Sequence, residues 1–224
     1  NDFKNTRKYL DVIKSYNAFS CLNLMKTYNS DVKEITSVIN KIEKWKNIDV
    51  VYVVDSAGCM TPEDVDNYVT AIKENSDLKI GFHGHNNMGL ANANSIAAIN
   101  SGASYIDSSV KGLGRSAGNA QTEILCYLLK KNGIECNINF FELMDLGEKY
   151  LKNIVPNFNS LSSIDIMLGI SKIHSSSLPI LFRSASDYDI NIYRLIFEVS
   201  LQNIKNINRK NINIVAKELS RIEK

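Results

Sequence analysis

The chain has 224 residues, of which 44% are hydrophobic and 22% are charged, and its formal net charge is +2. This length and apolar content suffice to bury a core, in one domain or two small ones. The charges form no basic stripe with interleaved aromatic residues, which disfavours a nucleic-acid partner. No apolar run reaches the roughly 18 residues of a membrane-spanning helix.

The cysteines indicate a reducing compartment. Cys21, Cys59, Cys126 and Cys136 form no CxxC pair and have no metal or disulfide spacing. Scattered cysteines of this kind are typical of cytosolic proteins. No signal peptide is visible at the start, so a cytoplasmic location is expected. Asn1 stands where a native chain has Met, so it need not be the native N-terminus.

The first part of the chain alternates between helical and strand patterns. Helices are predicted over about 2–16, from Ser30 or Asp31 onward, over 61–75, over about 89–100 and over about 121–131. Strands are predicted over 18–25, over 50–54, from residue 79 through His83 and His85, and over 103–110. Strands that alternate with helices predict right-handed crossovers and a parallel sheet. The fold class expected is therefore α/β.

The segment from Val50 to Asp64 gives the clearest local signals. Val50–Val54 is continuous and β-branched, as in a parallel strand covered on both faces. The next helix has Thr61 as its N-cap, Pro62 in its first turn and Asp64 to complete a capping box. This region is predicted to form one strand–turn–helix unit.

The pattern changes after about residue 137, where no further strong strand is found. Helices are predicted over 140–153, 162–173, 179–187, 190–203 and 211–222, with an Asn-rich connecting turn over 203–213. We therefore predict an α/β domain at 1–137 and a helical domain at 138–224.

Two of the three histidines, His83 and His85, lie two residues apart at the end of a predicted strand. Side chains on a strand alternate between its faces, so both imidazoles should project from the same side. Such a pair is suited to binding a metal ion. The alternative from the residues alone is a pair of polar side chains that hydrogen-bond to the backbone.

Other polar residues follow neighbouring strands. Ser56 follows the second strand, Asp107 or Ser109 lies on the fourth, and the loop 112–119 comes next. Because the carboxyl ends of parallel strands carry the chemistry of such folds, these groups should converge on one rim.

Each of these residues also has a structural interpretation. Ser56 could donate a hydrogen bond to a substrate or belong to a turn. The glycine-rich loop could bind an anion or form a tight connection, and Asn119 could approach a metal or cap the next helix. His174, in the helical part, could act in catalysis or be a surface residue.

These motifs together resemble a known enzyme superfamily. The matching segments are Val54–Gly58, Thr61–Asp64, Gly81–Asn87, Ala93–Ala98 and Gly112–Ala120, and the similarity extends to the C-terminal helices. The chain is similar to the metal-dependent TIM-barrel lyases and synthases that include HMG-CoA lyase and 2-isopropylmalate synthase. Within that superfamily it most resembles the 4-hydroxy-2-oxovalerate aldolases.

The resemblance implies roles for particular residues. His83 and His85 would bind a divalent cation, usually Mn²⁺, with Asn119 next to the metal. Ser56, His83 and His174 would contact a 2-oxo acid substrate. His174 stands where the family has a tyrosine, and it would also take part in catalysis. The helical domain would dock an acylating acetaldehyde dehydrogenase.

The resemblance also implies that part of the barrel is missing. The family's first strand carries an Arg-Asp pair, followed by a histidine base, and no such segment is present. A TIM barrel has eight βα units in roughly 250 residues, whereas this chain has four predicted strands. The sequence therefore predicts the second half of a barrel, either as a fragment or as a chain completed by another, with little lyase activity alone.

Three functions follow from this resemblance. The first is an aldolase that cleaves 4-hydroxy-2-oxovalerate to pyruvate and acetaldehyde. The second is a Claisen-type synthase that uses an acyl-CoA. The third is an inactive remnant that binds the dehydrogenase partner.

Overall fold

The computed structural model describes residues 3–151, 161–202 and 207–222. Up to residue 131 it has five α-helices and four strands in the predicted alternation. In chain order these are α1 Phe3–Ser15, β1 Cys21–Leu24, α2 Val32–Ile42, β2 Val50–Asp55, α3 Pro62–Asn75, β3 Lys79–Gly84, α4 Ala91–Ser101, β4 Tyr105–Ile106 and α5 Thr122–Lys131.

The four strands form one parallel sheet in the order β1-β2-β3-β4. Every residue of β2 is buried, as its continuous apolar sequence predicted. Its side chains alternate between two environments. Val51 and Val53 pack with helices α1–α3 in the main core, whereas Val50, Tyr52 and Val54 pack with Tyr105 on the opposite face.

The N-terminal ends of helices α2 and α3 are fixed by local sequence. Asp31 and Glu34 form a capping box on α2, and Thr61 and Asp64 form one on α3. In each box the first side chain accepts from the third helical N–H, and the partner carboxylate accepts from the cap residue's own N–H. The prediction for α3 is confirmed, and Asp31 is the cap of α2.

The fourth strand is much shorter than predicted. The segment 103–110 was expected to be a strand, but only Tyr105 and Ile106 pair with β3. Beyond them Ser109 forms an isolated bridge with Gln121, because the chain leaves the sheet to build the following loop. This early exit places that loop over the ends of β2 and β3.

The second part of the described chain is helical. Its helices are α6 Phe140–Leu146, which continues as a π-helical turn Gly147–Leu151, α7 Ser163–Ile170, α8 Leu178–Tyr188, α9 Ile192–Leu201 and α10 Arg209–Ile222. Helices α7–α10 share a second apolar core that includes Leu168, Leu181, Leu195 and Ile212. No helix in the described ranges is long and apolar enough to cross a membrane.

Several boundaries differ from those predicted. The helix predicted over 162–173 ends at Ile170, and the one predicted over 140–153 becomes π-helical at Gly147. The end of that second helix, 152–153, lies outside the described residues. The Asn-rich turn predicted over 203–213 lies partly outside them as well, and its last residues instead begin α10 at Arg209. The boundary near residue 137 stays a prediction.

Candidate active site at the strand ends

His83 and His85 lie side by side at the carboxyl end of β3. Their ring centroids are 5.2 Å apart and the ring planes make an angle of 77°. His83 pairs in register with Val54, on the sheet face opposite the main core. His85 follows the last strand residue, Gly84, and bridges to Asn119. The expectation that the two side chains share one side is confirmed.

Each imidazole is oriented through its Nδ1 atom. The Nδ1 of His83 lies 3.0 Å from Oδ2 of Asp107, and that of His85 lies 3.2 Å from the carbonyl oxygen of Gly118. A carboxylate and a carbonyl can only accept hydrogen bonds from these rings, so both Nδ1 atoms carry the proton. Each Nε2 atom is therefore left with its lone pair.

This orientation matches the way proteins hold metal-binding histidines. A ligating imidazole almost always donates its second N–H to a carboxylate or a carbonyl. Burial, followed by the positive charge of Arg115, lowers the pKa of His85 to about 4, so the ring is neutral near pH 7. Neutral imidazole is the form that binds a metal ion.

Asn119 contributes a further candidate oxygen. Its Nδ2 donates to the carbonyl of Leu113 at 3.2 Å, while its Oδ1 is buried without a hydrogen-bond partner. The alternative that Asn119 caps the next helix is wrong, because the N-cap of α5 is Gln121. A buried acceptor without a partner is costly, which favours a ligand at this position.

The glycine-rich loop is a tight connection that positions Asn119 and the carbonyl of Gly118. The N–H of Asn119 donates to the carbonyl of Gly112 at 2.9 Å. Gly118 has φ +84°, and a Cβ atom there would lie 2.2 Å from the Gly112 oxygen. Only glycine fits this approach.

Arg115, which was not among the predicted site residues, reaches into the same site. Its Nη2 lies 3.1 Å from Nε2 of His85 and donates to the carbonyl of Ser56 at 3.3 Å. Its Nη1 donates to Oγ of Ser175. Within the described residues no carboxylate pairs with Arg115. Its position inside the GLGxxxGN segment was the only signal in the sequence.

Ser56 lies at the base of this site. The residue is buried, and its Oγ accepts a hydrogen bond from the N–H of Lys26 at 3.0 Å. The hydroxyl proton remains available to a bound molecule. Nearby, the carboxylate of Asp55 accepts from the N–H groups of Cys59 and Met60 and so holds the turn that carries Ser56.

His174 caps the short 3₁₀ turn Ser175–Ser177 through its Nδ1, which accepts from the N–H of Ser176 at 3.2 Å. Burial and the charges of Arg115 and Lys26 lower its pKa. The structure therefore brings the His174–Ser175 turn to the rim that carries Arg115. Because Nδ1 accepts, the proton of the neutral ring is on Nε2.

A buried network fixes the helical part against this rim. Asn87 donates to Oγ of Ser116 at 2.9 Å and to the carbonyl of Asp165 at 3.0 Å. Ser116 donates in turn to the Asp165 carboxylate at 2.6 Å. Asp165 also forms the capping box of α7 with Ser162. The start of α7 is thus tied to the loop that carries Arg115.

The described residues hold only part of a complete metal site. No group of three His, Cys, Asp or Glu side chains in the described ranges could bind one ion together. Catalytic metal sites usually have about three protein ligands. Two of the usual ligands are offered here by the imidazoles of His83 and His85, and the partnerless oxygen of Asn119 belongs to the residue that bridges to His85.

Comparison with known proteins places this geometry in a family. A family model described as HMGL-like matches residues 2–149. The chain is 32% identical to 4-hydroxy-2-oxovalerate aldolase of Bacillus thuringiensis over 91% of its own length and 59% of the relative's. It is 39% identical to the enzyme of that name from Geobacillus stearothermophilus, over 69% of this chain and 45% of that protein.

The fold is also similar to that of solved structures. The carboxyl transferase domain of Rhizobium etli pyruvate carboxylase with 3-hydroxypyruvate superposes with a TM-score of 0.73 at 16% identity, covering 98% of this chain and 40% of the other. The parallel sheet and its helices are therefore four βα units of the TIM-barrel type. The chain spans about half the length of the curated relatives it matches, between 44% and 59%. With two thirds of its residues matched by one family model, it belongs to the HMGL-like family.

Proposed function

We propose that this chain is the metal-binding half of a class II aldolase that cleaves 4-hydroxy-2-oxovalerate to pyruvate and acetaldehyde. The observation that carries the proposal is the shared orientation of His83 and His85, each of which donates its Nδ1–H to the protein and so keeps the Nε2 lone pair as the possible metal ligand. The substrate class is taken from the relatives named 4-hydroxy-2-oxovalerate aldolase.

His83 and His85 would hold the cation, which we expect to be Mn²⁺, and Asn119 would lie next to it. A divalent cation bound there would act as a Lewis acid toward the 2-oxo group of the substrate. The Ser56 hydroxyl would donate to a substrate oxygen, because its own oxygen already accepts from Lys26. His174 would donate a hydrogen bond from Nε2, since its Nδ1 is used as a cap.

Arg115 is the group suited to the substrate carboxylate. Its guanidinium is positively charged, has no carboxylate partner among the described residues and faces the same rim as Ser56 and His85. Guanidinium–carboxylate pairs are short, directional and often bidentate. Binding the substrate would give Arg115 the acceptor that the protein itself does not supply.

We also propose that the helical part docks an acylating acetaldehyde dehydrogenase, which would consume the aldehyde. Phe182, Phe197 and Leu201 on α8 and α9 are 41–58% exposed and offer apolar contact area. Purified dehydrogenase should bind the chain in a pull-down, and Phe197→Ser should weaken this binding. Equal binding by the variant would exclude this surface.

The aldolase proposal is tested by complementation. The 224-residue chain is assayed with Mn²⁺ and 4-hydroxy-2-oxovalerate, alone and mixed with the part of the Geobacillus stearothermophilus relative that this chain does not match. We expect little pyruvate from the chain alone and turnover from the mixture. That turnover should be lost in the His83→Ala and His85→Ala variants. Full turnover by the chain alone, or no effect of these variants, would contradict the proposal. Turnover of acetyl-CoA in place of cleavage would indicate a synthase.

A further inference from the structure

A pair of thiols lies outside the set of residues that form the candidate active site. Sγ of Cys136 lies 3.7 Å from Sγ of Cys126, although the two residues are ten positions apart and belong to no sequence motif. Cys126 is on α5 and is buried, whereas Cys136 is half-buried in the segment that follows the helix. The other two cysteines, Cys21 and Cys59, have no thiol neighbour among the described residues.

The turn at the end of α5 brings the two thiols together. The N–H of Ile134 donates to the carbonyl of Leu129 at 3.0 Å, and the N–H of Gly133 donates to that of Lys130 at 3.1 Å. With Gly133 at φ +74°, this is a Schellman motif, which reverses the chain at a helix end. The segment after Gly133 therefore runs back along α5 and places Cys136 against Cys126.

The surroundings leave the pair accessible to a small oxidant. An open cavity of about 520 Å³ is lined by both cysteines together with Lys130, Ile134, Ile138 and Phe141. Burial and the contact with Cys136 raise the pKa of Cys126 to about 11, so Cys126 stays a thiol near neutral pH. Cys136, the more exposed of the two, is the one that meets a reagent entering from the cavity.

We propose that Cys126 and Cys136 form a redox-active dithiol that a hydroperoxide closes to an intramolecular disulfide. A disulfide has an S–S distance of about 2 Å, so closure needs a movement of about 1.7 Å shared by two side chains. The bond would link α5 of the α/β part to the connection that leads into α6.

The reaction balances with one hydroperoxide as the oxidant. The Cys136 thiolate attacks the distal peroxide oxygen, the O–O bond breaks, and the leaving oxygen takes a proton to give an alcohol or water. Cys136 is then a sulfenic acid. The Cys126 sulfur attacks the Cys136 sulfur, hydroxide leaves and takes up the Cys126 proton as water, and the S–S bond forms. A small thiol reverses the change by exchange.

The test is peptide mapping of the full 224-residue chain after treatment with hydrogen peroxide under non-denaturing conditions. We expect a cross-linked pair of peptides carrying Cys126 and Cys136, a mass lower by two hydrogens, and protection of both thiols from alkylation. Cys21, which is exposed and has no thiol neighbour among the described residues, is the internal control and should not enter the cross-link. Dithiothreitol should restore all four thiols.

Two variants separate the steps. In Cys126→Ser the sulfenic acid of Cys136 has no thiol partner and should be trapped by dimedone, whereas in the native chain dimedone labelling should be at least severalfold lower. In Cys136→Ser, Cys126 should remain reduced. The proposal is wrong if Cys21 is oxidised while the pair stays reduced, if the cross-link joins two chains, or if Cys126→Ser and the native chain label equally.

Discussion

Arg115 and His85 meet at 3.1 Å, with a guanidinium nitrogen of Arg115 directed at the imidazole Nε2. A metal ion bound to His85 would use the lone pair of this Nε2 atom, because Nδ1 already donates its proton to the carbonyl oxygen of Gly118. Metal and guanidinium therefore cannot share the atom. Cation binding requires Arg115 to move away, and a substrate carboxylate would stabilise it in its new position.

Replacing Arg115 should strengthen metal binding by the chain. Arg115→Gln removes a positive charge next to the site, so we expect Mn²⁺ to bind about tenfold more tightly, which corresponds to about 1.4 kcal/mol. Equilibrium dialysis or the Mn²⁺ electron paramagnetic resonance signal would measure the affinity. Arg115→Lys keeps the charge and is the matched control, which should stay near the native value. Unchanged or weaker binding by Arg115→Gln would show that Arg115 does not compete.

Loss of the Asp107 carboxylate should weaken the same site. Asp107 accepts from Nδ1 of His83 at 3.0 Å and fixes the ring so that Nε2 is left as the ligand. Replacing such a partner typically reduces metal affinity by about 10–100-fold. For Asp107→Asn we expect a loss of Mn²⁺ affinity near the lower end of that range, because the amide oxygen of Asn still accepts a hydrogen bond from His83.

The matched control for that variant is Asp77→Asn. Asp77 is exposed and precedes the opposite end of β3. Its replacement should leave Mn²⁺ affinity unchanged in the same dialysis measurement. A similar loss in both variants would mean that overall charge, and not the contact with His83, sets the affinity.

Comparing alanine variants at Gly118 and Gly89 distinguishes the cost of backbone strain from the cost of a steric clash. Both have positive φ, at +84° and +72°, but an added Cβ would lie 2.2 Å from the Gly112 oxygen at Gly118 and would meet nothing within 4 Å at Gly89. Gly89→Ala should lower the free energy of unfolding by about 1 kcal/mol from the backbone conformation alone. Gly118→Ala should lower it by about 2–4 kcal/mol. Urea titrations would compare them, and equal losses would refute the close approach.

Acid should destabilise the chain partly through Asp49. The side-chain hydrogen bond from Lys14 and the N–H of Ser20 lower the pKa of Asp49. A carboxylate whose pKa is lower in the folded state stabilises the fold above the unfolded-state pKa of about 3.9 and loses that contribution as the pH falls through the folded value.

The free energy of unfolding, measured between pH 6 and pH 2, should therefore fall less steeply on acidification (a flatter acid limb) in Asp49→Asn than in the native chain. Lys14→Gln should flatten it in part, since the contact with Ser20 remains. Because the pair is partly exposed, 0.5 M salt should reduce the difference. An acid limb with the same slope in all three proteins would exclude Asp49 as a contributor.

Local sequence determined most of the secondary structure, and the physical reason is that its signals act within a few residues. Thr61 and Asp64 cap α3 as predicted, because a capping box needs only neighbours three positions apart. The β-branched run at Val50 formed a fully buried strand. Strand alternation placed His83 and His85 on one side, since the period of two depends only on the backbone.

Only the tertiary structure decided which atoms remain free to react. Arg115 lies thirty residues from His85 in the chain, Asp107 lies 24 from His83, and neither contact has a local signature. The extent of β4 depended on where the chain leaves the sheet, and the pairing of Cys126 with Cys136 depended on the reversal at Gly133. Residue spacing identifies candidate ligands, whereas the hydrogen bonds formed on folding determine which lone pairs and protons those ligands retain.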